Sequence, residues 1–289
     1  MINKIKFTFF FLFIVSLTFA QKTICGKIIN SETKGVVDIA QISVKNSSKG
    51  VYSNIDGVFK IANINSVDTL VITHISFEKK YISLNQFPTD GVISLIPKVN
   101  LLNEVCIKST SLKEYKLIPR RRLLLNSSYS GMSGDEVATL VSDSHLEGAY
   151  LSSIVILTRK ILVDHYYIRV HLYNNKNGMP GKEIVLKDNL YEFIKGSSKS
   201  IIDIYESRIV FPKEGLFVSM EYIGKFEKGS FIKDDDMNKG LRPYIITRAI
   251  KDGEQAYIRI WDNKWHILED LMGGSYKQHK YLIGLTVVM

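Results

Sequence analysis

The side chains in this chain with the most chemistry to offer are six histidines, two tryptophans and two cysteines. His74, His145, His165, His171, His266 and His279 are scattered, and no H-E-x-x-H pattern sets two of them on one helical face. His165 and His171 stand six apart in one strand-like run, roughly 20 Å at strand rise, too far to share a metal unaided. Asp234, Asp236 and Asn238 alternate oxygen side chains in the way that can wrap a calcium ion. Gly240 falls one place late for an EF-hand loop, however, and Ile245 replaces the closing carboxylate, so the run also reads as a solvated acidic loop between Lys233 and Lys239. No G-x-S-x-G elbow is present, and Ser133 in G-M-S-G has no base to assign to it. No glycine-rich phosphate loop leads from a strand into a helix. No catalytic residue, resident metal or cofactor is therefore nominated.

Two aromatic constellations remain as ligand-binding candidates. Trp261 and Trp265 flank Asp262-Asn263-Lys264, and a three-residue hairpin would set them face to face. Such a pair stacks on sugar rings or closes the end of a core. In V-D-H-Y-Y-I-R-V-H-L-Y, the residues Tyr166, Ile168, Val170 and Leu172 share one face of a strand, and Tyr167, Arg169, His171 and Tyr173 share the other. Tyr167 and Arg169 join the two tryptophans as candidates.

The elements that must position these residues are strands. In Thr23 to Ile29, Ile24, Gly26 and Ile28 alternate with Cys25 and Lys27. Ala40, Ile42 and Val44 alternate with the outward Gln41, Ser43 and Lys45. Asn54-Ile55-Asp56-Gly57 has tight-turn chemistry, because Gly takes positive φ and Asp bonds its own backbone. Leu70 to Ile75, L-V-I-T-H-I, is a β-branched run without alternation, typical of a strand covered on both faces. Seven short strands in about 75 residues, with no amphipathic helix between them, predict a Greek-key sandwich over residues 21–96. Residues 97–130 read as a linker with a basic cluster (Lys113, Lys116, Arg120, Arg121, Arg122) and short helical pieces around Leu112, Tyr115 and Leu123 to Leu125. Residues 131–289 carry about ten further strand-like runs, His266 to Leu271 among them, which predict a second, larger β-sandwich or jelly roll. The fold class expected is all-β.

The succession I-C-G-K-I-I-N, A-Q-I-S-V-K, K-G-V-Y-S-N-I-D-G-V-F-K-I and D-T-L-V-I-T-H-I-S-F-E-K-K resembles the carboxypeptidase-like regulatory domain. The L-x-E-V-x-V-like segment Leu101 to Ile107 resembles its usual sequel. The resemblance covers residues 23–107 and departs at Ser76, where the family usually has Gly before an aromatic. It implies a transthyretin-like sandwich, a non-catalytic accessory role, and the exported proteins of Bacteroidetes in which the domain is widespread. R-V-H-L-Y-N-N-K-N-G-M-P-G-K-E-I, with F-V-S-M-E-Y-I downstream, resembles a β-sandwich domain found beside such regulatory domains.

Lys4 and Lys6, the apolar run Phe7 to Phe19 and Thr18-Phe19-Ala20 read as a secretory signal peptide cut after Ala20. The leader carries two lysines and no acids, so the +9 of the chain falls to +7 after cleavage, and no transmembrane helix is expected beyond it. Export makes a Cys25–Cys106 disulfide feasible; both cysteines also fit as small residues in strands. The basic balance of an exported protein suits acidic glycans or an anionic membrane surface, and equally serves plain solubility; the partner expected is an envelope protein or a glycan, not nucleic acid. The expectation is an exported, non-catalytic protein of the periplasm or outer membrane with a structural or binding role. The alternatives are a carbohydrate-binding protein acting through the second domain and a hydrolase with an unrecognised site there.

Overall fold

A computed structural model describes residues 22–98, 113–118, 127–232, 242–249, 255–261, 264–272 and 279–289. The stretch read as a signal peptide (residues 1–20), Cys106, the Asp234/Asp236/Asn238 run and Arg120 to Arg122 lie outside the described residues. The alternation of the first ninety residues becomes seven strands: β1 (Lys22–Asn30), β2 (Gln41–Val44), β3 (Gly50–Tyr52), β4 (Val58–Ile64), β5 (Thr69–His74), β6 (Phe77–Ser83) and β7 (Val92–Leu95). They form two sheets, β4-β1-β7 and β3-β2-β5-β6, with β1 antiparallel to β4 and parallel to β7. Ile28, Ala40, Ile42, Phe59, Leu70 and Ile72 fill the space between the sheets. The chain crosses from one sheet to the other at Asn54 to Gly57. There the Asn54 carboxamide accepts from the amides of Asp56 and Val58, and Gly57 takes φ +72°. Cys25 is exposed on β1.

The second sandwich begins earlier than its sequence patterning indicates. β8 (Glu114–Leu117) and β9 (Ser127–Tyr129) lie in the stretch read as a linker. β8 pairs with the C-terminal strand, Tyr115 opposite Val287, so the expected helical piece around Tyr115 is an edge strand. Its residues are recruited by a partner some 170 positions away, which local propensity cannot foresee. There follow β10 (Asp135–Val141), β11 (Tyr150–Leu157), β12 (Tyr166–Lys176), β13 (Met179–Ile184), β14 (Leu190–Phe193), β15 (Lys199–Asp203), β16 (Leu216–Glu227), β17 (Ser230–Phe231), β18 (Ile245–Ala249), β19 (Ala256–Ile260), β20 (His266–Ile267), β21 (His279–Tyr281) and β22 (Ile283–Val288). The run His266 to Leu271 is strand only over its first two residues; Leu268–Met272 is a helical turn that packs buried Leu268 into the core.

The large sheet runs β13-β12-β16-β10-β19-β20, and β15-β11-β22-β8 faces it. Between them lie Tyr166, Ile168, Val170 and Leu172 of β12, with Val218 and Met220 of β16 and Ile154, Ile156, Ile283 and Leu285 from the facing sheet. The inward face read for β12 is therefore the observed one. The fold is all-β, two successive sandwiches. Among the described residues no helix is long and apolar enough to cross a membrane.

The sandwiches meet through the outer face of each. Val71 of β5 and Ser43 of β2 point away from the first core yet are buried. Ile75 packs against the second core. The expectation that β5 is covered on both faces holds, whereas the solvent expected over Gln41 and Ser43 is absent: Ser43 is buried, and Gln41 lines a cavity shared with the second sandwich.

Candidate functional site

Register on the outer face of the large sheet sets four charged side chains in one transverse row. Arg169 of β12 stands opposite Glu221 of β16, Glu221 opposite Glu136 of β10, and Glu136 opposite Arg259 of β19. Two carboxylates directly across a ladder repel each other. The arginine outside each one supplies the compensating charge. Arg169 Nη1 lies 3.4 Å from Glu221 Oε2, and Arg259 donates from Nε to Glu136 Oε2 at 3.0 Å and from Nη2 to the same oxygen. Glu136 also accepts from Ser219 and from Tyr173 at 2.9 Å. Both carboxylates are 3% exposed, so every one of these partners is needed to offset desolvation.

His171 lies one step along β12 from this row, bridging two acids. Its Nδ1 is 2.6 Å from Glu183 Oε1 and its Nε2 3.3 Å from Glu221 Oε2. Burial opposes the imidazolium, but Glu136, Glu183 and Glu221 outweigh burial and push His171 up to about 10. Burial likewise opposes ionisation of Glu221, and Arg169 and His171 override it, holding that carboxyl well below the ordinary range. Glu183 is brought down to about 2 against burial by its His171 bond. A charged imidazole with both N–H groups given to carboxylates cannot act as a general base, and among the described residues no Ser, Thr or Cys hydroxyl or thiol bonds to it.

The first sandwich completes the site. Tyr52 of β3 donates to Glu221 Oε1 at 2.6 Å, and Arg169 Nη2 donates to the Ile39 carbonyl at 2.7 Å. Ile39 holds φ +50°, a strained value for a β-branched residue, which marks the turn that presents this carbonyl. Between the sandwiches a cavity of about 100 Å³ remains, lined by Thr73, His74, Lys79 and Lys98 from the first and Arg169, His171 and Arg259 from the second, among others. His74 is pushed down to about 4 by burial and by the charges of Arg169 and Lys98. Its Nδ1 accepts from the Ser76 amide, which fits the neutral ring.

The four residues singled out from sequence divide between this cleft and its flanks. Arg169 lies in the charged row. Tyr167 is half-buried, edge-on to Phe226 and Phe231 at 6.0 and 6.2 Å, and donates to Glu192. Trp261 is 7% exposed, its ring 5.1 Å from that of Tyr52. It is pressed on Gly50 and Gly134, where an added Cβ would lie 2.1 and 1.8 Å from the indole. Trp265 covers Arg259 at 4.7 Å and meets Tyr173 edge-on. The two tryptophans do not face each other. Ile258 pairs with His266, which sets Trp265 opposite Arg259 and leaves Trp261 beyond the ladder. Beside Trp261 a groove of about 560 Å³ follows the boundary between the sandwiches, with Tyr52, Lys60 and Phe231 in its walls. His165 pairs with Glu192 and His171 with Glu183 and Glu221, so these two histidines have separate partners. Among the described residues no group of three or more His, Cys, Asp or Glu side chains is placed to hold a metal ion.

Sequence reasoning missed Glu136, Glu183, Glu221, Arg259 and Tyr52. The available signal was a charged residue inside an apolar strand: Glu221 interrupts L-F-V-S-M-E-Y-I, and Glu136 opens E-V-A-T-L-V. A buried carboxylate needs a cation, and each of these strands announces that need.

No curated protein matches the chain. Among solved structures it is similar to the cysteine protease and lectin-like domains of Cwp84, a surface layer associated protein of Clostridium difficile, at 13% identity and TM-score 0.39, over 89% of this chain and 61% of that one. A second structure of that clostridial protease, after propeptide cleavage, gives 13% identity and TM-score 0.37 over 92% and 70%. The T13 particle of infectious bursal disease virus gives 8% and 0.27 over 93% and 61%. The chain thus spans less than two thirds of the length of the first of these. The family model of the CarboxypepD_reg-like domain matches residues 24–107, the strands β1 to β7 and the segment that follows them. The first sandwich of this chain is a CarboxypepD_reg-like domain.

Proposed function

We propose that this is an exported, non-catalytic protein of the cell envelope with a structural or binding role, its two sandwiches acting as one body. The observation that carries the non-catalytic part is the saturation of the charged row. Glu136 accepts from Arg259, Tyr173 and Ser219, Glu221 from Tyr52, Arg169 and His171, and His171 gives its other N–H to Glu183; the serine hydroxyl among these partners, that of Ser219, is itself committed to Glu136. Export rests on the leader pattern of residues 1–20, and a Bacteroidetes envelope context on the regulatory-domain resemblance. Fractionation of the producing cell, with N-terminal sequencing of the isolated protein, tests this reading. A mature chain starting at Gln21 in the periplasmic or outer-membrane fraction is expected. A cytosolic protein retaining Met1 would exclude export, and peptide or glycoside hydrolysis abolished by His171→Ala would exclude the non-catalytic role in favour of a hydrolase.

A second reading is carbohydrate recognition, and the groove beside Trp261 favours it. Tyr52, Phe231 and Trp261 give its wall an aromatic surface, and lysines and Asn63 supply polar groups. The Tyr167/Arg169 version of this idea is weakened by the burial of Arg169 under the first sandwich. A glycan array probed with wild type and Phe231→Ala decides: sugar binding that the variant loses supports the groove, and no binding to any glycan rejects it.

A further inference from the structure

Three cations of the cleft are matched by three acids: Arg169 by Glu221, Arg259 by Glu136, and His171 by Glu183. Two cations lining the same cavity are left over. Lys79 of β6 and Lys98, just beyond β7, both come from the first sandwich, and among the described residues neither ammonium has an ion-pair partner. Two hydrogen-bond donors at the cavity are also left over. Arg169 Nε and Asn189 Nδ2 are buried with no acceptor among the described residues, in residues 5% and 3% exposed. Native proteins rarely leave such donors orphaned, and an orphan beside a cavity calls for an acceptor inside it. Lys79 is exposed and Lys98 half-buried, and both feel the Glu183 carboxylate, which is already bonded to His171; an anion in the cavity would accept from the two orphaned donors and add the negative charge that water does not.

We propose that this cavity binds a small oxyanion, a phosphate or carboxylate group, held by Lys79, Lys98, the free Nε–H of Arg169 and the Asn189 amide. About 100 Å³ admits one such group with a water or two, and not a whole sugar ring in a closed pose. Donors from both sandwiches converge on it, so the anion would bridge them. The positive field is also felt by the residues around the cavity. Burial, Arg259 and Lys98 pull Lys79 below its ordinary value, and burial, Arg169 and Lys98 depress His74. Charge-assisted bonds of this kind are the strong ones, and guanidinium with ammonium is a common pairing for phosphate and carboxylate alike. The inference does not depend on export or on the groove beside Trp261.

Isothermal titration of the full chain with inorganic phosphate, and separately with acetate, at ionic strength held constant with chloride, tests it. One saturable site is expected. Lys79→Met and Lys98→Met should each weaken it about tenfold, the loss of one charge-assisted hydrogen bond, with the melting temperature of each variant confirming that it folds. Lys160→Met, an exposed lysine away from the cavity, should leave affinity unchanged. Saturation by phosphate over acetate assigns the natural ligand to phosphate esters, and the reverse order to carboxylates; both uphold the site. A flat isotherm with both anions, or binding unchanged in the Lys79→Met/Lys98→Met double variant, overturns it.

Discussion

Glu221 is the residue on which both sandwiches converge. It accepts from Tyr52 across the boundary and balances Arg169 and His171 on its own sheet. Removing one partner of a buried pair strands the other, which typically costs about 3–5 kcal/mol, whereas removing one hydrogen bond to a charged group costs about 1.5–3 kcal/mol. Glu221→Gln should therefore destabilise the protein clearly more than Tyr52→Phe, as read by urea denaturation with both variants at one pH. Equal losses would mean that Glu221 acts only as the acceptor for Tyr52. The ionisations fix a pH profile as well. His171 is raised from 6.5 to about 10, so its contribution is complete below 6.5 and fades as pH climbs toward 10. His74 is depressed from 6.5 to about 4, so its contribution is complete above 6.5 and fades as pH falls toward 4. Glu183, lowered from 4.5 to about 2, adds a further loss below 4.5. Thermal stability should peak near pH 6.5 and fall on both sides, and His171→Gln should flatten the alkaline limb. An alkaline limb unchanged in that variant would remove His171 from the network.

At the scale of elements, the strands of the first sandwich were legible because each carries its own period-two pattern and its own turn residues. Ile24, Ile28, Ala40 and Ile42 all lie where alternation places them. The faces of β12 were legible for the same reason. The charged row was not, because period two assigns a face but not a neighbour. That Arg169, Glu221, Glu136 and Arg259 align depends on register between strands as many as 123 residues apart. The Trp261/Trp265 pairing failed on this point too, since the register of the hairpin sets Trp265 opposite Arg259, two residues before Trp261. What Trp261 does instead is lock elements of the two sandwiches together, and Gly50 of β3 is the surface it needs. A methyl at position 50 would lie 2.1 Å from the ring, inside any real contact. Gly50→Ala should cost about 1–3 kcal/mol by overpacking, in a denaturation series where Gly35→Ala, with only a threonine hydroxyl nearby, costs little. The pair Gly50→Ala/Trp261→Leu should cost less than the sum of its two singles, because they share one contact.

At the scale of the molecule, the boundary between the sandwiches is built unlike a flexible inter-domain seam. Such seams are polar and wet, and relative motion is the default across them. Here the boundary holds a hydrogen bond to a buried carboxylate, an arginine on a backbone carbonyl and an indole seated on two glycines. Contacts this specific couple the two cores, so the chain should unfold in calorimetry as one transition, although each sandwich has a hydrophobic cluster of its own. The coupling runs through few residues, and that makes it separable. Tyr52→Phe combined with Trp261→Leu removes two of the links while touching neither core, and should split the single endotherm into two, the smaller belonging to residues 22–98. The split should narrow again on addition of any anion that bridges Lys79 and Lys98 to Arg169, because a ligand contacting both sandwiches stabilises only their docked state. Two transitions already present in the wild type would mean that the sandwiches are joined only by the chain. The polar face of β12 would then be an open surface in solution, available to a partner other than the first sandwich.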